Sequence, residues 1–345
     1  VQHSFYKMVF DPNNNAIAYI ASRYGLHKST DGGLSWNLTT LLGSFDRFVY
    51  EVSVHPNSSD TIYAGTDGWT GPKDLYRSVN EGNNWTNLNL TNGESGIKKV
   101  LFNPTNTDMI YVGAFEKGIY KSTDRGVTWF TINNGLQISD PPLIKPIYSL
   151  DINNLDPNIL YSDNGGVVKT TNGGQEWFRI DSMLFELDEN LQVGRIAYIN
   201  NKIFVSSNNG LYNTSNDGIT WQKIGNFKTW YNEGEVKNSL LNPLKIFIST
   251  KSGIYKGIDT VTSVEKIEDV PMYPILLQNY PNPFNSNTKI SFNLDKRRFI
   301  TIKIYNVLGK EVNSIIEQTR DKGTNIVGWD GTNYNGENLP SGIYF

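Results

Sequence analysis

The chain has 345 residues, more than one typical domain, so two are expected. Its net charge of −3 excludes the basic surfaces that bind nucleic acid, and its lack of cysteine excludes disulfides, thiolate chemistry and Cys-based metal sites. No apolar run approaches the roughly 18 residues of a membrane span, so the chain is not expected to span a membrane.

Hydrophobic residues make up 38%, enough for a core. Aromatic residues at 12% and 31 glycines make a strand-and-turn composition, and helix-period stripes are absent. An all-β chain is expected. It opens at Val1 with no Met and no signal peptide, as a mature form or a fragment would.

One eight-residue pattern, [Ser/Thr]-x-[Asp/Asn]-x-Gly-x-x-Trp, recurs five times. Its fixed residues are Ser29, Asp31, Gly33 and Trp36; Ser78, Asn80, Gly82 and Trp85; Ser122, Asp124, Gly126 and Trp129; Thr170, Asn172, Gly174 and Trp177; and Thr214, Asn216, Gly218 and Trp221. The tryptophans are 49, 44, 48 and 44 residues apart, the period of a four-stranded propeller blade. A short Gly-Φ-aromatic-Lys strand precedes each box, and a second strand lies upstream, over 16–22, 61–66, 109–114, 159–163, 202–207 and 245–250. Pro- and Asn-rich turns such as Asp11-Pro12-Asn13 and Asp156-Pro157-Asn158 come before most of these. A sixth Gly-Φ-Tyr-Lys strand at Gly253 leads into no box. The reading is six visible blades over 1–257, a linker over 258–275 with no repeat signal, and a second domain over 276–345.

The third box position is Asp in two copies and Asn in three, so an oxygen acceptor suffices there and a carboxylate is not required. The shared Gly suits a positive φ, and the Trp should pack between neighbouring hairpins. The boxes are therefore read as structural. At these residues the chain resembles the Asp-box (BNR) repeat families, which include sialidases, sortilin-type propellers, xyloglucanase-type glycoside hydrolases and photosystem II assembly factors. That resemblance implies boxes on outer hairpins, away from any active site.

In a propeller the connections from second to third strand, and from each blade to the next, share one end. That end would carry Arg23 and Tyr24; Asp46 and Arg47; Asp67, Trp69 and Lys73; Glu116 and Lys117; Asp163 and Asn164; Arg195; and Trp230, Tyr231 and Glu233. Aromatic and charged groups at a channel mouth suit a glycan or protein ligand. Resemblance to sialidases would require three arginines on a substrate carboxylate, for which Arg23, Arg47 and Arg195 are available, and a Tyr–Glu pair such as Tyr231 and Glu233. The Phe/Tyr-Arg-Ile-Pro segment of that family is missing; Phe178-Arg179-Ile180-Asp181 mimics it without the Pro and reads as a plain outer strand. A xyloglucanase-type reading needs two facing carboxylates, and Asp46 or Asp67 would supply one.

His3, His27 and His55 are the only histidines, and the last two occupy repeat positions, which argues against a triad or zinc site. Asp330–Glu337 has too few acids for a calcium loop and reads as a hairpin turn. No metal and no cofactor are expected.

Beyond residue 276 the pattern changes. Alternation over 288–294 puts Ile290, Phe292 and Leu294 on one strand face, and further strands and turns complete a small antiparallel Ig-like β-sandwich. Three motifs carry a resemblance: Asn279-Tyr280-Pro281-Asn282-Pro283-Phe284, then Tyr305-Asn306 with Gly309, then Pro340-Ser341-Gly342 with Tyr344. They match the type A sorting domain of the type IX secretion system, and Trp329-Asp330-Gly331 is similar to the related FlgD-type Ig-like domain. The resemblance implies export across an outer membrane, the type IX machinery as partner, and a secreted or surface-displayed protein. Domains of that family continue past this Tyr-Phe, so a shortened domain is expected. Two functions stay open: a binding or scaffold propeller, and a glycan-cleaving enzyme of sialidase or xyloglucanase type.

Overall fold

The computed structural model describes residues 5–41, 48–68, 71–140, 143–225, 236–238, 245–250, 253–258, 264–266, 275–276, 279–282, 284, 286–294, 296–306, 310–342 and 344. Contacts between residues divide the chain into two compact units, Val1–Ile267 and Glu268–Phe345.

The first unit is a β-propeller with six four-stranded antiparallel sheets among the described residues. Blade 1 runs from its inner strand Phe5–Asp11 through Asn14–Ser22 and Gly25–Ser29 to Asn37–Leu38. Blades 2 to 5 begin with inner strands Val49–His55, Ile97–Phe102, Leu150–Ile152 and Val193–Ile199. Blade 6 comprises Val236–Asn238, Lys245–Thr250, Gly253–Ile258 and Val264–Lys266. That last strand corrects the expected linker. Part of 258–275 pairs with Gly253–Ile258 as an outer strand, with Tyr255 opposite Lys266, although no box precedes it. The one helix among the described residues, Ser182–Leu187, lies between blades 4 and 5 and buries Leu184.

The boxes build the outer hairpins by local hydrogen bonds. The hydroxyl of the first residue donates to the third residue's side-chain oxygen, at 2.7 Å for Ser29 to Asp31 and 2.8 Å for Thr214 to Asn216. The same hydroxyl accepts from the Gly N–H, at 2.8 Å from Gly33 and 3.1 Å from Gly218. The third residue accepts from the N–H four positions on, whether it is Asp124 (2.8 Å) or Asn80 (2.8 Å). The seventh side chain adapts: Thr128 donates to the Asp124 carboxylate at 2.5 Å, whereas Thr220 accepts from the Asn216 amide at 2.9 Å. Glycine is obligatory because φ is +74° at Gly126 and +83° at Gly218. A Cβ at Gly218 would also fall 1.8 Å from the Ile180 carbonyl oxygen.

Each box after the first also holds the preceding blade. Its fourth residue takes a positive φ, 58° at both Glu81 and Arg125, which turns the carbonyl toward that blade. The Glu81 carbonyl accepts from Tyr19 Oη (3.3 Å) and Lys28 Nζ (3.0 Å). The Arg125 carbonyl accepts from Tyr63 Oη and Arg77 Nη1, both at 2.8 Å. At the fifth box the Asp217 carboxylate takes over, meeting Tyr161 Oη at 3.3 Å and Lys169 Nζ at 2.8 Å. The tyrosine bodies and box tryptophans lie in the apolar clusters between blades: Tyr19 with Trp85, Tyr63 with Trp129, Tyr111 with Trp177 and Tyr161 with Trp221.

The second unit pairs Ile275–Leu276, Thr288–Leu294 and Gly323–Trp329 in one sheet and Arg298–Tyr305 with Glu311–Arg320 in another. Ile290, Phe292 and Leu294 face the core with Ile304, Ile316, Val327 and Trp329, as the alternation predicts. The first and third C-terminal motifs meet at Trp329: the rings of Phe284 and Tyr344 lie 5.5 and 5.4 Å from it. Asn279 Nδ2 donates to Thr288 Oγ1 at 2.9 Å, and that hydroxyl donates to the Pro281 carbonyl at 2.8 Å. Asn306 accepts from Lys310 N at 3.0 Å, and the Tyr305 hydroxyl reaches Glu311 at 3.4 Å. The Pro340 carbonyl accepts from Tyr344 Oη at 2.8 Å, with Ser341 and Gly342 exposed in the turn between. Pro283 and Gly309 lie outside the described residues; Pro281 and Asn282 are exposed.

Asp124→Asn should leave unfolding at pH 7 unchanged, because Asn80, Asn172 and Asn216 make the same acceptor bonds. Trp129→Ala should cost about 3 kcal/mol in denaturant unfolding. Hydrogen bonds from Thr128 hold the Asp124 carboxyl at about 2, below its ordinary value of about 4. Its stabilising contribution is therefore present above about pH 4 and fades as pH falls through about 2, a dependence that Asp124→Asn should remove.

Candidate functional site

Inner strands begin at the end of the propeller where the second-to-third-strand turns also lie, so both present side chains to the channel mouth. The centre of the cluster there is Tyr50, a buried residue near the start of the blade 2 inner strand. Tyr6 of blade 1 stacks on it at 5.1 Å between ring centres and on Phe48 at 4.9 Å. Lys98 of blade 3 sits 4.0 Å from the Tyr50 ring centre and is ion-paired with Asp67 from the turn of blade 2. Arg195 Nη2 of blade 5 donates to Tyr50 Oη at 2.7 Å, so one hydrogen bond crosses the mouth from blade 5 to blade 2. Phe115 and Tyr148 pack edge to face at 5.5 Å and bring blades 3 and 4 against Lys98, at 5.2 and 5.9 Å.

Burial shapes the charges of this cluster. It pushes the Lys98 ammonium down against the opposing pull of Asp67, and it pushes the Tyr50 phenol up, with Arg195 opposing. Tyr148 is raised to about 12, again chiefly by burial. Asp163, beside Tyr148, is raised to about 7 by burial although Tyr148 N (3.0 Å), Ser149 N (2.6 Å) and Ser149 Oγ (3.1 Å) all donate to it. The result is a half-desolvated patch of aromatic faces, two cations and two carboxyl groups, suited to stacking and hydrogen bonding with a polar ligand.

Of the residues expected on this end, Asp67 and Arg195 converge on Tyr50. Arg23 and Tyr24 are exposed on the first turn. Lys117 pairs with Glu94, and Glu116 flanks it. Lys73 is half-buried on its turn, and Asn164 is buried, its Nδ2 donating to the Lys145 carbonyl at 3.0 Å. Asp46, Arg47, Trp69, Trp230, Tyr231 and Glu233 lie outside the described residues. Tyr50, Lys98, Phe115 and Tyr148 were not anticipated. Aligning the inner strands on their turns places Tyr6, Tyr50, Lys98 and Tyr148 in one column, two residues before Met8, Val52, Val100 and Leu150. That alignment was the available signal.

Other candidates resolve into structure. His55 Nε2 meets the Thr107 carbonyl at 3.2 Å, and its Nδ1 accepts from Asn57 N at 3.2 Å, which ties two turns together. Phe178–Arg179 is the outer strand of blade 4, and Arg179 pairs with Asp181 at 2.6 Å. Asp330 takes hydrogen bonds from Thr332 in a turn closed by the Thr332–Asn338 bridge. Among the described residues no group of His, Asp and Glu could hold a metal ion, and no helix is long and apolar enough to cross a membrane. An open depression of about 740 Å³ lies at the opposite end of the propeller, lined by the Asn103–Asp108 turn with Pro56 and Arg125.

Comparison with known proteins agrees with this architecture. The sequence model of the FlgD Ig-like domain matches residues 282–345. The xyloglucanase Xgh74A of Acetivibrio thermocellus is 30% identical over 175 residues, which is 50% of this chain and 17% of that one. The crystal structure of an ancestral GH74 enzyme superposes with a TM-score of 0.64 at 20% identity, over 89% of this chain and 48% of that one. The extracellular domain of a protein described as a hybrid two-component system from B. thetaiotaomicron gives a TM-score of 0.57 at 15% identity, over 84% of this chain and 39% of that one. This chain thus spans less than half the length of each. At these identities the two structures show the fold, a β-propeller.

Asp163 offers a pH test. Its value near 7 lies above the roughly 4 of an unfolded carboxylate, so its contribution to stability is complete below about pH 4 and lost as pH rises through about 7. Denaturant unfolding at a series of pH values should show this decline, and Asp163→Asn should flatten it.

Proposed function

We propose that this protein is an extracellular binding propeller that takes a glycan at the channel mouth. The observation that carries this reading is the convergence of side chains from five blades on Tyr50. Stacked aromatic faces bind the apolar faces of sugar rings, and the fixed Arg195 and Lys98 donors suit their hydroxyls. The local identity to a xyloglucanase and the likeness to an extracellular domain support a setting outside the cell, secreted or at its surface.

The C-terminal unit is proposed to be the sorting domain that directs export through the type IX secretion system, with that machinery as its partner. Support comes from the three ordered motifs and the FlgD-type match over the same segment. The repeats are assigned on the same footing to the Asp-box class, with the boxes in a structural role.

The second reading is a glycoside hydrolase of xyloglucanase type, favoured by the identity to Xgh74A; a sialidase is the other member of that reading. Hydrolysis needs a general acid and a second carboxylate flanking one bond. At the mouth Asp67 is engaged by Lys98, and Asp163 is buried beneath three donors. Neither is presented as an exposed acid or base, which favours binding on the described residues; Asp46 and Glu233 lie outside them.

Titration calorimetry with xyloglucan oligosaccharides tests the first reading. Arg195→Ala and Lys98→Ala should each weaken binding by about tenfold or more, and Tyr24→Ala should leave it unchanged. Release of reducing ends by the unaltered protein would instead establish the hydrolase. For export, the natural gene product should reach the surface of a type IX-competent host, and deletion of 276–345 should leave it in the periplasm. Surface delivery of the deletion variant would remove the sorting assignment.

A further inference from the structure

The inner strands of the propeller carry a layer of polar side chains in common register. Lys7, Glu51 and Lys99 lie opposite Ala21, Gly65 and Gly113 on the second strands of blades 1 to 3. Ser149 and Arg195 hold the equivalent place in blades 4 and 5, just before Leu150 and Ile196, which pack toward the preceding blade. Strand alternation turns the layer away from that contact and toward the channel. The next position of the same kind carries Ser53, Asp151 and Lys237, opposite Tyr63, Tyr161 and Phe247.

Most of these groups are engaged by the fold. Lys7 Nζ is ion-paired with Glu51 and donates to Ser53 Oγ at 3.2 Å, and that hydroxyl donates to Glu51 at 2.8 Å. Ser149 Oγ accepts from Ile196 N at 3.0 Å and donates to Asp163 at 3.1 Å. The Asp151 carboxylate accepts from Ile152 N and Tyr198 N, both at 2.9 Å. Lys99 differs. It is half-buried, and among the described residues its ammonium makes no hydrogen bond and no ion pair. Burial first, then the like charges of Lys237 and Lys7, bring it down to about 8 against the pull of Glu51 and Asp151. An ammonium that gives up water without gaining a counter-charge is costly, and buried cations are ordinarily paired.

We propose that the channel holds a small inorganic anion on the Lys99 ammonium, in the combined field of Lys7 and Lys237. The two carboxylates nearest to Lys99 are already committed, Glu51 to Lys7 and Asp151 to backbone N–H groups. Ammonium groups are donors only, so the three lysines cannot bond one another, whereas one anion accepts from all of them and links the inner strands of blades 1, 3 and 6. The layer nearer the mouth selects for size. Tyr50 and Lys98 sit one residue closer to the mouth than Glu51 and Lys99, and the Arg195–Tyr50 bond crosses there. That favours an ion over the acid group of a larger ligand. The site does not depend on a glycan being bound at the mouth.

The test is an NMR titration of the full chain, isotope-labelled at the lysine ε carbons, with Lys99→Met and Lys99→Arg assigning the Lys99 resonance. Ionic strength is held constant with a bulky organic sulfonate, which is then exchanged for chloride or sulfate. In the sulfonate Lys99 should titrate near 8. In chloride or sulfate its titration should rise by about one pH unit, because a bound anion favours the charged form. Exposed lysines such as Lys223 should not move. Thermal unfolding gives a second reading: the same exchange should raise Tm more for the unaltered chain than for Lys99→Met. Lys99 titrating alike in all three salts would overturn the proposal. So would an ordinary lysine titration already present in the sulfonate, which would mean that a carboxylate of the chain itself pairs with Lys99. A rise produced by glucuronate but by neither inorganic ion would also overturn it, and would place the acid group of a sugar there instead.

Discussion

The contact on which the propeller depends is the grip of each box after the first on the blade before it. A left-handed residue in the box turns one carbonyl outward, and a buried tyrosine with a neighbouring Lys or Arg from the preceding blade donates to it. The same tyrosine fills the apolar space between the sheets. One residue thus supplies both the hydrophobic contact and the polar end-stop that sets the angle between blades, and repetition carries that angle around the ring. The Gly next to the left-handed residue, and the Ser/Thr hydroxyl that anchors it, recur because the turn exists only with them.

That arrangement separates construction from recognition. The outer hairpins are held by local hydrogen bonds that repeat from box to box. At the other end, inner strands from five blades bring aromatic rings and cations into one small volume around Tyr50. The Arg195–Tyr50 bond spans the mouth between blades 145 residues apart in sequence. A glycan bound there, as proposed, would meet cations that are already oriented, which would lower the entropy lost on binding.

In the second unit several of the residues that carry the family resemblance are also structural members. Phe284 and Tyr344 pack on Trp329, and Asn279 and Thr288 tie the first motif to the sheet. A partner that recognises this unit therefore recognises a folded sandwich.

Much of this was legible in the sequence. The box period, the Pro and Asn turns and the strand alternation specified an all-β chain of six blades followed by an Ig-like unit, because each signal is a local backbone requirement. Asn in place of Asp in three boxes showed that the acid was not needed, and the bonds of Asn80 and Asp124 agree. What the sequence concealed was whatever depends on distant partners. The outer strand Val264–Lys266 follows no box and pairs with Gly253–Ile258. Asp67 and Arg195 were recognisable as residues at the mouth, but Tyr50 and Lys98 read as ordinary strand residues. Only the closure of successive sheets around a channel brings such positions together, because the convergence is a property of the angle between blades and of no single blade.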